Sequence, residues 1–271
     1  ISLFVKKNGL EKKVFHSECW GLREGKYIWL SKNDIKTTEW KEIKPDSPYY
    51  FFVPRAETYR NIYEKFWKIT DIFPLNCTGI VTARDKFVID FDKDSLKRRI
   101  EMFRDLSMPD EIVKQTFKLK DTRGWKFAEA RKELAKDKDW EIYFTTMLYR
   151  PFDIRHIYYT QKMVDWPRPE VMRHMMKENL GLITVRQVAE GIFNHAFVTN
   201  TIIESRISLS NKGIGYLFPL YLYLGKRDMF NQEEAQRRKP NLNLKPVESL
   251  TAAYGREPTL EEIFYYIYGI L

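Results

Sequence analysis

A run of helical periodicity near the middle of the chain constrains the fold more than any other feature. In "DSLKRRIEMFRDL" the apolar residues Leu96, Ile100, Phe103 and Leu106 fall on one face of a helix, and Asp94 is placed to cap its start. The stretches "MPDEIVKQTF" and "WKFAEARKELAKDKD" continue the helical pattern. The sequence therefore predicts a helical segment here, between regions of different texture.

Strand-like runs lie on both sides of this segment. Before it, "KYIWLS" and "YYFFVP" are rich in β-branched and aromatic residues; after it come "EIYFTTMLY", "GLITVRQV", "NHAFVTNTII" and "GYLFPLYLYL". The chain closes with two helical patterns, at about 246–255 and 258–270. These patterns predict an α+β fold of mixed sheets, with a helical insert at about 94–136 and C-terminal helices.

The ends of the sequence have the pattern of a piece of a longer protein. There is no initiator Met, and the final "TLEEIFYYIYGIL" is a strongly apolar helical pattern without a polar tail. We therefore expect one domain over 1–245, which carries the insert, and a C-terminal helical segment over 246–271 that is truncated.

Cysteine usage and the apolar runs indicate a cytoplasmic protein. Cys19 and Cys77 are the only cysteines, and they are too far apart for a disulfide framework or a zinc ribbon. The start, "ISLFVKKNGL", has its apolar residues before its lysines, the reverse of a signal peptide. The longest apolar run, "YLFPLYLYL", is about half the length of a bilayer span, so no membrane is expected as a partner.

The charge balance favours a polyanionic partner. The formal net charge is +9 and the pI about 9.3, which favours nucleic acid first and an acidic membrane surface second. A mildly basic soluble protein has the same composition, so charge alone leaves the partner open. The hydrophobic content of 44% and the aromatic content of 15% exclude a disordered chain.

One arginine stands between two prolines in "DWPRPEVM". Trp166 and Arg168 each precede a proline and are expected to be extended, and Pro169 suits the first position of a helix that ends at Gly181. A guanidinium on such a preordered backbone can be aimed at a planar acceptor pair: a carboxylate, a phosphate or the edge of guanine. A structural salt bridge with a nearby acidic residue is the alternative.

The stretch "YRPFDIRH" has the same ambiguity. Arg150 and Arg155 lie on either side of Asp153, so an internal ion-pair cluster is plausible. The segment from 149 to 176 carries more basic side chains than Asp153, Asp165 and Glu170 can pair. Some of its positive charge must therefore face outward.

Two other polar stretches could contact a phosphate. In "NCTGIVTARDKFVID", Thr82, Arg84 and Lys86 follow Gly79, which permits an unusual backbone angle. The turn "SLSNKG" carries Lys212. Either stretch can equally be a polar turn between strands, without a ligand.

Catalytic motifs are absent from the sequence. There is no GxGxxG, GxSxG, HExxH or CxxC pattern, and the Asn/Asp-Pro-Pro-Tyr/Phe tetrad of adenine methyltransferases is missing too. Asp90, Asp92 and Asp94 in "IDFDKDS" could hold a metal, but the same spacing is typical of a solvated turn. We expect no catalytic residue, no metal ligand and no cofactor in this chain.

Nine segments in order carry a resemblance to a known family: "WGLREGKYIWL", "PYYFFVP", "DIFPLNCTGIVTARDKF", "LYRPFDIRHIYY", "RPEVMRHM", "NLGLITVRQ", "HAFVT", "YLFPLYLY" and "EEIFYYIYGIL". Together they resemble the C-terminal specificity region of type ISP and related single-chain restriction-modification enzymes. The likeness spans nearly the whole chain. The missing methyltransferase motifs agree with a piece that begins after them.

The resemblance implies a target recognition domain that binds double-stranded DNA. It implies a parent protein that is an adenine-specific DNA methyltransferase using S-adenosylmethionine, with possible restriction endonuclease activity, and whose methyltransferase domain is a partner of this region. On this basis we expect direct base or phosphate contact from seven residues: Thr82, Arg84, Lys86, Arg155, Arg168, Arg186 and Lys212.

Two other functions stay open from the sequence. A scaffold that only packs against a methyltransferase would have no affinity for DNA. A metal-dependent nuclease using the Asp90 and Asp92 turn with a nearby lysine would cleave DNA on its own when a divalent cation is supplied.

Overall fold

The chain divides into two compact units, residues 1–66 and residues 67–271. The computed structural model describes residues 5, 8–9, 11–47, 49–55, 58–122, 124–188, 192–208, 213–223 and 238–271. None of the helices in this described part has the length and apolar content of a membrane span.

Short strands and helices alternate along the chain. The strands are β1 Val14–His16, β2 Lys41–Ile43, β3 Cys77–Thr78, β4 Ile89–Asp90, β5 Phe144–Arg150, β6 Asp153–Tyr158, β7 Gly181–Val185, β8 Phe197–Thr199, β9 Ile202–Ile203, β10 Gly215–Pro219, β11 Tyr221–Tyr223 and β12 Arg238–Pro240. The helices are α1 Arg23–Lys32, α2 Arg60–Tyr63, α3 Ile69–Ile72, α4 Asp85–Val88, α5 Lys93–Arg104, α6 Asp110–Phe117, α7 Phe127–Lys136, α8 Pro169–Met172, α9 Leu244–Tyr254 and α10 Leu260–Ile270, with 3-10 turns at Trp140–Tyr143 and Arg173–Met176. The fold is α+β, as predicted.

The first unit contains the two-stranded antiparallel sheet β1–β2 with α1 and α2, and none of its described residues is buried. The prediction that "KYIWLS" forms a strand is wrong, because these residues lie within α1. Local side-chain pairs at helical spacing outweigh its β propensity: the Nε of Arg23 donates to the hydroxyl of Tyr27 at 3.1 Å, and Lys32 complements the C-terminal end of the helix dipole.

The run "YYFFVP" is not a strand either. Tyr50 has a φ of 48°, and its N–H donates to the carbonyl of Asp46 at 2.8 Å, so the run begins in a turn. Its aromatic rings are exposed to solvent. A strand needs a partner for its backbone groups, and no described strand pairs with this run.

The second unit is built on two four-stranded sheets, ordered β3-β10-β7-β8 and β4-β6-β5-β9. Neighbours are antiparallel except for β5 and β9, which are parallel. The residues that follow β3 link the sheets, because Ile80 bridges Glu204 just beyond β9. Val81 then bridges Trp166, so Trp166 is extended as predicted.

The helical insert is confirmed as α5, α6 and α7. Leu96, Ile100 and Phe103 are fully buried in the main core, as their spacing predicted. The start of α5 is shifted from the prediction: Asp92, rather than Asp94, accepts the N–H of Ser95 at 2.9 Å and caps the helix. Since α5 ends at Arg104, Leu106 lies beyond it and is exposed.

The C-terminal helices α9 and α10 are also confirmed. Phe264 of α10 lies in a second core cluster, where its ring contacts that of Phe73 at 6.3 Å between centroids. Phe218 of β10 belongs to the same cluster. The described part of the second unit therefore packs α10 with the sheets. A division between residues 1–245 and 246–271 stays a prediction.

Two local predictions near α8 are wrong. Pro169 is at the start of the helix as expected, but α8 is short and Gly181 starts β7 instead of ending a helix. A Cβ at Gly181 would lie 2.6 Å from Cδ1 of Leu217 and 3.0 Å from Cε of Met175, so a larger residue there would force these side chains to shift.

Arg168 is left-handed rather than extended, with φ 53° and ψ 49°. The chain must turn from the Trp166 bridge into α8 within two residues. In this conformation the carbonyl of Arg168 accepts the N–H groups of Val171 and Met172, at 3.2 and 3.0 Å, which begins the helix. The helix start therefore outweighs the extended preference of a residue before proline.

Candidate nucleic-acid interface

The segment 79–86 is fixed against its neighbours at both edges. A Cβ on Gly79 would lie 2.5 Å from the backbone of Glu204 and Ser205, so only glycine fits there. Two backbone hydrogen bonds then join Val81 to Trp166, at 2.9 and 3.2 Å. The segment with Thr82, Arg84 and Lys86 therefore lies beside the segment that carries Arg168.

Thr82 lies inside this arrangement and is 1% exposed. Its hydroxyl donates to the carboxylate of Asp85, which also accepts the hydroxyl of Tyr149 at 2.9 Å. Burial and the bond to Asp85 raise the pKa of Tyr149, so its hydroxyl stays protonated and able to donate. This chain of bonds ties the start of α4 to the end of β5.

Arg84 is also turned inward, with its side chain 6% exposed. Its Nε donates to the carbonyl of Met163 at 3.2 Å, its Nη2 lies 3.7 Å from Asp165, and its guanidinium stacks 4.3 Å from the ring centroid of Trp125. Burial lowers the pKa of the guanidinium, although the charge of Asp165 opposes this effect. Arg84 therefore links 163–165 to the loop before α4.

Arg155 on β6 is held between two aromatic rings. Its guanidinium lies 4.0 Å from the ring centroid of Tyr149 and 4.2 Å from that of Phe91, and Asp153 accepts hydrogen bonds from its Nε and Nη2. The expected ion pair with Asp153 is thus present for Arg155 alone. Arg150, on the preceding strand, pairs instead with Glu204 at 2.7 Å.

Arg168 faces outward more than Arg84 does. It is partly exposed, and its guanidinium lies 4.8 Å from the ring centroid of Trp166, which is itself 56% exposed. In the described part of the chain its Nε is buried without a hydrogen-bond partner, and no carboxylate lies within 4.0 Å. The hydroxyl of Tyr159 donates to the carbonyl of Pro167 and fixes the backbone below it.

Lys86 and Arg186 are also exposed, on other elements of the second unit. Lys86 lies in α4, where the guanidinium of Arg99 binds the carbonyls of residues 86, 87 and 89 and so fixes the backbone. Arg186 follows β7, and its guanidinium stacks 4.4 Å from the ring centroid of Tyr216. Lys212 lies outside the described residues.

The aromatic platforms under these arginines were missed by sequence reasoning. Trp166 could have been found, because it lies two residues before Arg168. Tyr216 and Trp125 lie far from Arg186 and Arg84 in sequence, so only the fold brings them together. Stacking holds the guanidinium plane while its edge keeps hydrogen-bond donors for a planar acceptor such as phosphate or guanine.

The aspartates considered as metal ligands have structural partners instead. Asp90 accepts a hydrogen bond from Arg99, and Asp92 caps α5. Within the described residues, no group of three histidine, cysteine or acidic side chains is arranged to hold a metal ion.

The sequence matches the family model of the Type ISP C-terminal specificity domain over residues 71–271. The chain therefore belongs to this family. The match begins within α3 and covers both four-stranded sheets, the helical insert and the C-terminal helices. A search of curated proteins gives no match.

Solved structures with the same fold come from longer proteins in complex with DNA or a DNA substrate mimic. A cryo-EM structure of a DrdV–DNA complex is 20% identical, with a TM-score of 0.64, and the alignment covers 94% of this chain and 26% of that one. The ATP-dependent Type ISP restriction-modification enzyme LlaBIII bound to DNA is 18% identical, with a TM-score of 0.58 and coverage of 86% and 15%.

A nuclease-deletion mutant of the Type ISP enzyme LlaGI, in complex with a DNA substrate mimic, is 17% identical, with a TM-score of 0.51 and coverage of 82% and 22%. At these identities the comparisons establish a shared fold. The present chain spans about a quarter or less of the length of each of these proteins.

Proposed function

We propose that this chain is the DNA sequence-recognition domain of a restriction-modification enzyme. The observation that carries the proposal is the partly exposed Arg168, stacked on Trp166 and fixed at the start of α8 in a chain that belongs to the specificity-domain family. A base edge is read by geometry, so a recognition arginine must be held in one orientation. Arg168 reads a base, and Lys86 and Arg186 contact DNA from the same unit.

Three of the other residues that were predicted to contact DNA, Thr82, Arg84 and Arg155, have partners within the protein. Thr82 and Arg84 are buried, and Arg155 already uses two of its nitrogens on Asp153. Their proposed role is to hold the segments that carry the contacting side chains. Arg155 can still contact DNA through its remaining nitrogen, Nη1. We also propose that Lys212 contacts DNA.

We further propose that the parent protein methylates adenine with S-adenosylmethionine, and that this chain positions the target base for its methyltransferase domain. The first unit supplies a surface for such a domain. Among its described residues, Trp20 and Leu22 are each 82% exposed and Tyr63 is 77% exposed. Exposed apolar side chains in this number favour contact with another protein surface.

A salt titration of the isolated chain tests DNA binding. With about four to six phosphates neutralised, the slope of log affinity against log salt is expected to be about −4 to −5. A duplex selected from a random pool should bind more tightly than random duplex at every salt concentration. Absence of binding at low salt would favour the scaffold function, and metal-dependent cleavage would favour the nuclease.

A further inference from the structure

A second group of basic side chains lies beyond Arg168, on the 3-10 turn that follows α8 and on the β11–β12 hairpin. Arg173 and Lys177 come from the first element, and Arg238 and Lys239 from the second; all are exposed. The charges of Arg173 and Lys239 both act on His174, and Lys177 lies over the ring of Tyr223, which pairs with Arg238. We call this group of four cations the basic helix–hairpin surface.

Direct contacts bring these two elements together. The backbone N–H of Tyr223 in β11 donates to Nδ1 of His174 at 2.9 Å, and Tyr223 pairs with Arg238 in the hairpin register. The side-chain amide of Asn179 donates to the carbonyls of His174 and Tyr221, at 3.0 and 2.8 Å. The hairpin is thus fixed against the turn by hydrogen bonds on both sides of His174.

Aromatic rings hold two of the cations in place. The guanidinium of Arg238 lies 3.9 Å from the ring centroid of Tyr221, and the ammonium of Lys177 lies 4.9 Å from that of Tyr223. The hydroxyl groups of both tyrosines donate to other groups, Glu261 and the carbonyl of Glu178 respectively. The rings are therefore fixed platforms.

The field of this surface is positive. Within the described residues, Arg173, Arg238 and Lys239 have no carboxylate within 4.0 Å. His174, which is 1% exposed, reports the same field: burial, and then the charges of Arg173 and Lys239, lower its pKa to about 4. The charge of Glu178 acts on Arg238, but Arg173 and Lys239 are two neighbouring cations without a close carboxylate in the described part of the chain, which favours a polyanion at close range.

We propose that Arg173, Lys177, Arg238 and Lys239 form a phosphate-binding surface that grips the DNA backbone beside the base read by Arg168. This inference rests on the proposed function and extends it. At a rise of about 1.5–2.0 Å per residue, the helical stretch from Arg168 to Lys177 covers about 15 Å, or about four base pairs. One short helical element would then carry both the base-reading Arg168 and the phosphate-binding Arg173 and Lys177.

The test compares charge-removing variants of the 271-residue chain in salt titrations with random duplex and with a selected duplex. The double variant Arg173→Gln/Lys239→Gln removes two cations of the surface. The control Lys120→Gln/Lys138→Gln removes two exposed lysines of the helical region. A charge-retaining variant, Arg173→Lys/Lys239→Arg, separates loss of charge from loss of folding.

The double variant is expected to bind both duplexes about tenfold more weakly, with a salt slope smaller by about two units, since each phosphate contact contributes about 0.9. The control and the charge-retaining variant should keep the slope of the wild type. A double variant that matches the control overturns this inference alone, as does a loss of discrimination without a change of slope. A wild-type chain without salt-dependent binding overturns the proposed function itself.

Discussion

The segments 79–86 and 166–177 lie edge to edge, joined by the Val81–Trp166 bridge, and each carries an arginine stacked on tryptophan. The ring distances are similar, 4.3 Å for Arg84 and 4.8 Å for Arg168. The difference lies in the partners. The Nε of Arg84 donates to the carbonyl of Met163, and its Nη2 lies 3.7 Å from Asp165 without a hydrogen bond. The Nε of Arg168 has no hydrogen-bond partner, and within the described residues no carboxylate lies within 4.0 Å of its guanidinium. Stacking on a ring therefore does not by itself identify a contact residue.

The two segments have different roles, one in stabilising the fold and the other in the proposed contact with DNA. Groups of the first that face inward, such as Thr82 and Arg84, hold the sheets and the loop before α4 together. In the second, Arg168 is partly exposed and Arg173 is exposed, while His174 is buried. Changes to inward groups should lower stability, and changes to outward groups should weaken DNA binding without unfolding the chain.

The largest expected effect is that of Gly79→Ala. The new Cβ would lie 2.5 Å from the backbone of residues 204 and 205, and backbone cannot move as a side chain can. We expect the free energy of unfolding to fall by about 3 kcal/mol or more. Chemical denaturation measures it, with Gly124→Ala as the control because nothing lies within 4 Å of its Cβ. Equal stability of the two variants would contradict the close packing of Gly79 against the backbone of residues 204 and 205.

Arg84→Ala should have the next largest effect on stability. It removes packing on Trp125 and the bond to the carbonyl of Met163, so we expect a loss of about 2–3 kcal/mol in unfolding free energy. Arg98→Ala is the matched control, since that side chain is 69% exposed. Unchanged stability together with lost sequence discrimination would mean that Arg84 contacts DNA.

Acid should weaken the inward part of the second segment. The pKa of His174 is about 4 in the folded chain, below its ordinary value, so the unfolded chain binds the proton more readily. Its stabilising contribution is present above about pH 6.5 and is lost as the pH falls towards 4, by up to about 3 kcal/mol. Denaturation of wild type and His174→Gln across this range measures the difference. If the stability of both proteins changed with pH in the same way, His174 would not be the group responsible for the loss of stability in acid.

Lys86→Gln should have the smallest effect. Lys86 is exposed, and α4 is fixed by Arg99 through backbone carbonyls, so stability should change by less than about 0.5 kcal/mol. The salt slope should lose about one unit for random and selected duplex alike. A salt titration beside a thermal melt measures both quantities, and an unchanged slope would remove Lys86 from the interface.

The parts of the fold that depend on short-range pattern were predicted from the sequence. The spacing of Leu96, Ile100 and Phe103 predicted α5 because one helical face must be buried. The extended backbone of Trp166 followed from Pro167. The family segments indicated a specificity domain, which the match over 71–271 confirms.

The parts that depend on distant contacts could not be predicted. "KYIWLS" has strand propensity, but side-chain pairs at helical spacing favour α1. The burial of Arg84 against Trp125 could not be predicted, because Trp125 lies 41 positions away in sequence. The grouping of Arg173 with Lys239 likewise depends on the hairpin bond to His174.

The most direct test of the account is the ratio of affinities for selected and random duplex, measured in Arg168→Ala with Arg84→Ala beside it. The account predicts that Arg168→Ala melts like the wild type but loses about 1–3 kcal/mol of discrimination, the value of one bidentate base contact. The folded fraction of Arg84→Ala should keep its discrimination. An unchanged affinity ratio in folded Arg168→Ala would contradict the base-reading role.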